Sequence, residues 1–170
     1  HGFVHSLLPH EMAHLIFRDF VGFKGEIPLW LDEGVAQWEE AAKRPEIKTS
    51  AKAYYFRDGL LSLEDMMKVD IKQITEETAI YVRRTRTRDG SDATLILSGK
   101  NLVAMYYIQA ASLVGFLIER FGSDNFVQFC RELRDGKSLE EALRFAYPTH
   151  TRSLRDLEDI CRKYLEDLQV

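Results

Sequence analysis

Apolar residues recur every three to four positions through most of the chain, which is the spacing of amphipathic helices. Prolines and glycines interrupt this pattern and set the predicted ends. Pro9 and Pro28 suit the first turn of a helix, whereas Pro45 ends one. Gly122 and Gly136 end two later helices. The predicted helices span residues 9–20, 29–43, 51–58, 101–121, 123–134, 138–147 and 153–168.

Residues 78–98 follow a different pattern, which is typical of β-strands. Ile80 and Val82 alternate with polar neighbours, Asp89-Gly90 is a turn signal, and an apolar run follows that turn. The sequence therefore predicts a β-hairpin within a mainly α-helical fold.

Composition and charge narrow the functional class. The length of 170 residues suits one domain, and a hydrophobic share of 45% is enough for a globular core. The formal net charge is −4 and the sequence pI is about 5.8, whereas nucleic-acid-binding domains are usually basic. The dense basic run within residues 83–88 is more typical of a solvated strand face or turn. We therefore expect no nucleic-acid partner.

The sequence contains no strong indication of a cellular compartment. The first residues lack the basic start and the apolar stretch of a secretory signal, and the chain does not begin with Met, so we expect a fragment of a longer protein. The apolar run at 102–118 is shorter than the roughly 20 residues of a membrane span and predicts a buried helix. Cys130 and Cys161 fall on predicted helices and are expected to be buried free thiols.

Residues His10-Glu11-Met12-Ala13-His14 match the pattern H-E-x-x-H on a predicted helix. Residues four apart on a helix lie about 40° apart around its axis and about 6 Å along it, so both imidazoles can face one point. Neutral imidazole nitrogen is a common ligand of Zn²⁺. Glu11 projects beside the pair, where it would reach a water at the metal and not the metal itself. The motif therefore predicts His10 and His14 as zinc ligands and Glu11 as a general base.

A third ligand is expected on the next helix. Glu33 lies in the segment Leu31-Asp32-Glu33-Gly34, with 18 residues between His14 and Glu33. Two antiparallel helices joined by a glycine-containing loop would bring Glu33 back over the two histidines. A catalytic zinc site has three protein ligands and one open position, which this set would provide.

Together, these motifs resemble those of the gluzincin metallopeptidases. His10-Glu-Met-Ala-His14 followed by Trp30-Leu-Asp-Glu-Gly34 is most similar to the bacterial peptidase MA-like families, with a more distant resemblance to aminopeptidase N and thermolysin. The resemblance implies a zincin-like helical domain that binds Zn²⁺, with Glu33 as the third ligand.

The same resemblance implies a catalytic tyrosine. The helix at 101–121 is similar to the helix that carries a catalytic Tyr in aminopeptidase N relatives, where the Tyr precedes a Gly-Ala pair by three residues. Tyr107 and Ala110 have that offset, with Ala110 in place of Gly, and Tyr106 is the weaker candidate. Packing in the core is the alternative role for Tyr107.

Two departures from related patterns bear on the site. The metzincin class needs Gly and His where this chain has Phe17 and Phe20, which excludes that class. Thermolysin-like enzymes place an Asp four residues after the Glu ligand to orient a zinc-bound His, but this chain has Gln37 there. Asp32 and Glu40 are the candidate replacements, and the sequence does not choose between them.

The chemistry that this site implies is hydrolysis of a bond in a peptide or protein substrate. Glu11 would act as general base on a zinc-activated water, and Tyr107 would hydrogen-bond the developing oxyanion. The alternative is a zinc-stabilised binding or structural domain without turnover, in which a protein ligand would fill the fourth position. His1 and His5 are weaker candidates as ligands, because the spacing from His5 to His10 is a poor helical match.

We expect a single domain over residues 1–170, with the zinc-site helices at 1–43, an intervening segment at 44–100 and a helical bundle at 101–170. In gluzincins the substrate-binding edge strand precedes the H-E-x-x-H helix, so the resemblance implies a β-lobe upstream of His1. It also suggests a bacterial protein that acts outside the cytoplasm. The sequence does not distinguish aminopeptidase from endopeptidase activity.

Overall fold

The computed structural model of the chain describes residues 2–24, 26–57, 59–74, 80–86 and 90–169. Within them the fold is mainly helical, as the apolar spacing predicts. The helices are α1 (Gly2–Val21), α2 (Leu29–Glu39), α3 (Arg44–Phe56), α4 (Leu63–Lys68), α5 (Gly99–Phe121), α6 (Ser123–Arg134), α7 (Leu139–Ala146) and α8 (Leu154–Asp167). The strands are β1 (Ile80–Arg86) and β2 (Asp92–Ser98), and short 3-10 turns lie at Ala41–Lys43 and Ile71–Gln73.

Helix α5 is the central element of the fold. Most of its residues between Leu102 and Leu117 are buried, and helices α2, α3, α6 and α8 pack around it. Among the described helices it alone is long and apolar enough to cross a membrane by length and composition. However, 67% of its apolar window is buried inside the fold, which is the environment of a core helix. The predicted buried helix is therefore confirmed.

Helices α2 and α5 approach each other closely because a glycine stands at each of two contacts. A Cβ atom at Gly34 would lie 2.7 Å from the carbonyl oxygen of Ala110 and 2.7 Å from Val114 Cγ2. A Cβ atom at Gly115 would lie 2.5 Å from the buried ring of Trp38. Both separations are shorter than van der Waals contact allows. The two glycines therefore fix how tightly α2 lies against α5.

The predicted hairpin is confirmed over the described part of residues 80–98. β1 and β2 pair antiparallel along their whole length. Gly90 has a φ of +87°, a left-handed conformation that glycine adopts without steric cost and that suits a turn. Thr78 and the predicted turn residue Asp89 lie outside the described residues.

Three predicted helix bounds were wrong, and all three lie at one of two prolines. Pro9 lies inside α1 and not in its first turn. The helix predicted at 29–43 ends at Glu39, and Pro45 lies in the first turn of α3, which therefore begins before the predicted 51–58. A proline has a helical φ and no N–H, so it suits a first turn and disfavours, but does not forbid, helix before it.

The remaining predicted helices agree with the structure to within two residues at each end. Gly122 and Gly136 both have a φ of +88°, and α5 and α6 end beside them. Both cysteines are free thiols on helices, with Cys130 buried and Cys161 partly buried. Burial raises the pKa of each thiol to about 12, so neither is a reactive thiolate near neutral pH.

Candidate metal centre

Helix α1 presents His10 and His14 together on the side that faces α2. Their Nε2 atoms lie 3.3 Å apart, and the two rings meet edge to face with centroids 4.9 Å apart. Both side chains are partly buried. The four-residue spacing on a helix therefore brings the two imidazoles to one point, as the motif predicts.

Glu33 on α2 reaches the same point. Its Oε2 atom lies 3.8 Å from His10 Nε2 and 3.9 Å from His14 Nε2. Among the described residues, these three side chains form the one group of His, Cys, Asp and Glu side chains close enough to share a metal ion. The structure thus brings together all three of the predicted ligands.

The second nitrogen of each histidine faces a carboxylate. His10 Nδ1 lies 3.4 Å from Glu40 Oε1, and His14 Nδ1 lies 2.9 Å from Asp32 Oδ1. Both distances are within hydrogen-bonding range, although the alignment falls short of a full hydrogen bond. Asp32 and Glu40 were the two candidates for the role of the Asp that orients a histidine in thermolysin-like enzymes. The sequence did not choose between them, and the structure places one beside each histidine. Glu40 also pairs with Lys43 at 2.8 Å.

This arrangement fits a zinc ion. A carboxylate beside Nδ1 favours the proton on that nitrogen, which leaves a lone pair on each Nε2. Two such lone pairs 3.3 Å apart, with a carboxylate oxygen 3.8 and 3.9 Å away, repel one another unless a cation lies among them. Zinc with bonds of about 2.0–2.1 Å in tetrahedral geometry holds its ligand atoms about 3.4 Å apart. The observed separations are close to that value.

The surroundings of Glu33 disfavour the charged form of its carboxyl when no cation is bound. Burial raises the pKa of the Glu33 carboxyl, and the charges of His14 and His10 offset part of that rise. Asp32 raises the pKa further, whereas Lys72 lowers it. A metal ligand must be deprotonated, so protons and metal compete for this carboxylate.

Glu11 occupies a different environment from the ligands. It follows His10 directly on α1, and its side chain is exposed to solvent. One step along a helix turns a side chain by about 100°, so Glu11 lies to one side of the point where the two imidazoles converge. It is therefore not part of the ligand group and remains accessible to water.

The two adjacent tyrosines of α5 lie within electrostatic range of Glu33. Tyr106 is buried, whereas Tyr107 is only partly buried. Burial raises the pKa of both phenols, and the negative charge of Glu33 raises each one further. Both phenols are therefore protonated at neutral pH, and Tyr107 is the more accessible of the two. Its catalytic role stays a prediction.

Lys72 was not singled out by the sequence. It lies in the turn Ile71–Gln73 with an exposed side chain, and its charge acts on the Glu33 carboxyl. The buried side chain of Ile71 anchors this turn in the core. The proximity of Lys72 to the site follows from that tertiary packing, for which the sequence has no spacing rule.

Comparisons with protein-family models, curated proteins and solved structures find no match to this chain. The functional evidence for this chain is therefore the H-E-x-x-H motif together with the geometry of His10, His14 and Glu33.

Proposed function

We propose that this chain is a zinc metallopeptidase of the gluzincin type that hydrolyses peptide bonds. The supporting observation is the convergence of His10 Nε2, His14 Nε2 and Glu33 Oε2 within 3.9 Å of one another. No fourth protein ligand joins this group among the described residues, which is the pattern of a catalytic site and not of a closed structural one. Glu11 also supplies a base that a structural site does not need.

The binding residues have separate roles. His10, His14 and Glu33 would hold the ion, while Asp32 and Glu40 would fix the orientation and the protonated nitrogen of each imidazole. When bound, zinc supplies a Lewis acid that lowers the pKa of a water molecule and polarises a carbonyl group.

Proton transfer and charge stabilisation belong to two other side chains. Glu11 would take the proton of the attacking water and deliver it to the leaving amine. The phenol of Tyr107 would donate a hydrogen bond to the oxygen that becomes negative as the carbonyl is attacked. Its raised pKa keeps that phenol protonated and able to donate.

Metal analysis tests the ligand set. The purified protein is expected to bind an equimolar amount of zinc, and Glu33→Gln should weaken binding by more than the roughly 10- to 100-fold cost of losing an outer partner. Glu39→Gln is the control, since Glu39 is exposed on the same helix. Equal zinc affinity in Glu33→Gln and the wild type would remove Glu33 from the site.

Turnover tests the chemistry. With quenched peptide libraries as substrate, Glu11→Gln is expected to bind zinc normally and to lose about 10²- to 10⁴-fold in turnover. Asp19→Asn changes another exposed acid of α1 and should have no effect. Undiminished cleavage by Glu11→Gln, with contaminating proteases inhibited, would contradict the assignment. Full zinc occupancy without cleavage of any library would favour a zinc-stabilised binding domain.

A further inference from the structure

The two carboxylates that face the histidines differ in their surroundings. Glu40, beside His10, has only 9% of its side chain exposed, and Lys43 Nζ lies 2.9 Å from its Oε1 atom and 2.8 Å from its Oε2 atom. Asp32, beside His14, has no lysine or arginine within ion-pair distance among the described residues. Within that part of the chain, the carboxylate at one histidine is therefore paired with a cation and the carboxylate at the other is not.

The backbone around Lys43 holds its side chain beside Glu40. The 3-10 turn at Ala41–Lys43 begins directly after Glu40, and the N–H of Lys43 donates to the carbonyl oxygen of Glu40 at 2.8 Å. The next residue, Arg44, donates from Nε to the carbonyl oxygen of Trp38 at 2.7 Å and lies 5.0 Å from the centre of that buried ring. The turn is thus anchored on both sides of Lys43, so its ion pair is part of the folded structure.

Negative charge surrounds the two imidazoles. The carboxylates of Asp32, Glu33 and Glu40 each have an oxygen within 3.9 Å of an imidazole nitrogen. Among the described residues, Lys43 is the one lysine or arginine in ion-pair contact with any of the three, and Lys72 acts on Glu33 from a longer distance. Lys43 therefore already occupies part of the negative field that would attract a metal cation.

We propose that Lys43 is a positioning residue that acts through Glu40 and lowers the affinity of the site for zinc. A carboxylate that shares its charge with an ammonium group is a weaker acceptor for the Nδ1 proton, so the imidazole of His10 becomes a weaker donor at Nε2. The charge of Lys43 also repels a bound cation. In the zinc-free protein, by contrast, the same charge stabilises the buried carboxylate of Glu40. The proposal rests on the proposed metal site and concerns the regulation of its affinity.

Zinc affinity and zinc-free stability should respond to Lys43 in opposite directions. In competition with a chromophoric chelator, Lys43→Met should bind zinc about two- to fivefold more tightly than the wild type, the scale of a partly exposed ion pair. In excess chelator its Tm should be lower, because Glu40 is left buried without a cation. Lys43→Arg keeps the charge and should restore both values toward the wild type. Lys68→Met is the matched control, since it removes a lysine from an exposed ion pair with Glu64 on α4.

Two further measurements test whether Lys43 acts through Glu40. In zinc-loaded protein with ¹⁵N-labelled histidine, Lys43→Met should move the Nδ1–H proton signal of His10 downfield, as a stronger hydrogen bond to Glu40 requires, and leave the signal of His14 in place. In a Glu40→Gln background, Lys43→Met should change zinc affinity less than it does in the wild type, because the ammonium group then has no carboxylate to neutralise.

Several outcomes would overturn the proposal. Unchanged zinc affinity in Lys43→Met, an equal gain in Lys68→Met or an unmoved His10 signal would each remove Lys43 from the site. Weaker zinc binding by Lys43→Met would mean that Lys43 serves to hold Glu40 in place. If zinc binds and no peptide is cleaved, the peptidase proposal falls and the role of Lys43 stands, because none of these measurements requires turnover. If neither the wild type nor Lys43→Met binds zinc, the metal site and the role of Lys43 fall together.

Discussion

Asp32 and Glu40 each face the Nδ1 atom of a different histidine, so each should set the proton position of one imidazole. Asp32→Asn and Glu40→Gln are expected to lower zinc affinity by about 10- to 100-fold each, because the amide brings no charge to hold the Nδ1 proton. Competition with a chromophoric chelator measures the affinity. Gln37→Ala is the control, since Gln37 occupies the position that the thermolysin pattern assigns to this role. An affinity loss confined to Gln37→Ala would contradict the assignment.

The raised pKa of Glu33 predicts that the free energy of unfolding of the zinc-free protein depends on pH. Its folded-state pKa is raised, mainly by burial, so the folded state holds this proton more tightly than the unfolded chain does. The stability that this proton contributes is complete below the unfolded-state pKa and is lost as pH rises through the folded-state value. Glu33→Gln keeps the side chain neutral and should therefore raise the Tm at neutral pH.

Thermal unfolding in chelator, from acidic to neutral pH, checks that prediction. The gain from Glu33→Gln should shrink toward zero at acidic pH, where the wild-type carboxyl is protonated in both states. Added zinc should raise the Tm of the wild type and have a much smaller effect on the variant. A gain of equal size at every pH would mean that the ionisation of Glu33 is not its cause.

The close contact between helices α2 and α5 predicts how a substitution at Gly34 changes the free energy of unfolding. In an open helix position Gly→Ala stabilises by up to about 1 kcal/mol through helix propensity. At Gly34 the added methyl would meet Ala110 and Val114 at 2.7 Å, so Gly34→Ala should instead destabilise by about 1–3 kcal/mol. Denaturant unfolding measures the sign. A net gain in stability would mean that the helices separate without cost.

The elements show which parts of the fold can be predicted from sequence. The limits of α6 and the hairpin followed from local signals, namely apolar period and turn glycines. The two proline errors, at Pro9 and Pro45, arose because one residue type suits the start of a helix and also disfavours helix before it. Whether helix extends upstream of a proline depends on the neighbouring packing, which the local sequence does not contain.

The same limit applies to the metal centre. The spacing of His10 and His14 is a property of one helix, so their convergence could be predicted. The prediction of Glu33 as the third ligand required a second helix packed against the first and a resemblance to a known motif. The pairing of Asp32 with one histidine and Glu40 with the other depends on how α2 lies beside α1, and no spacing rule contains that relation. Tyr107 as a catalytic group stays a prediction.

At the scale of the whole molecule, α1 carries an exposed apolar face. Met12, Leu15, Ile16 and Phe20 are each between 48% and 69% exposed. Met12, Ile16 and Phe20 also line a groove of about 590 Å³. Contiguous apolar surface of this kind promotes association in water. This face is therefore expected to favour self-association at high protein concentration.

Polar substitution on that face tests its effect. Leu15→Lys and Phe20→Lys should change the free energy of unfolding by no more than about 0.5 kcal/mol, because neither side chain is packed in the core. Both should reduce self-association in light scattering at high protein concentration. Phe17→Lys, on the buried side of the same helix, should unfold the protein and serves as the contrast. A large stability loss from Leu15→Lys would show that the face is covered within the molecule.

The Glu33-Gly34 pair joins a chemical requirement to a mechanical one. In the proposed metal site Glu33 provides a carboxylate ligand, whereas Gly34 provides the absence of a side chain at a helix crossing. Mutations at the two positions should therefore have different consequences during evolution. A lineage that loses Glu33 can give up the chemistry and keep a folded scaffold for another use, but one that replaces Gly34 must first rebuild the α2–α5 crossing.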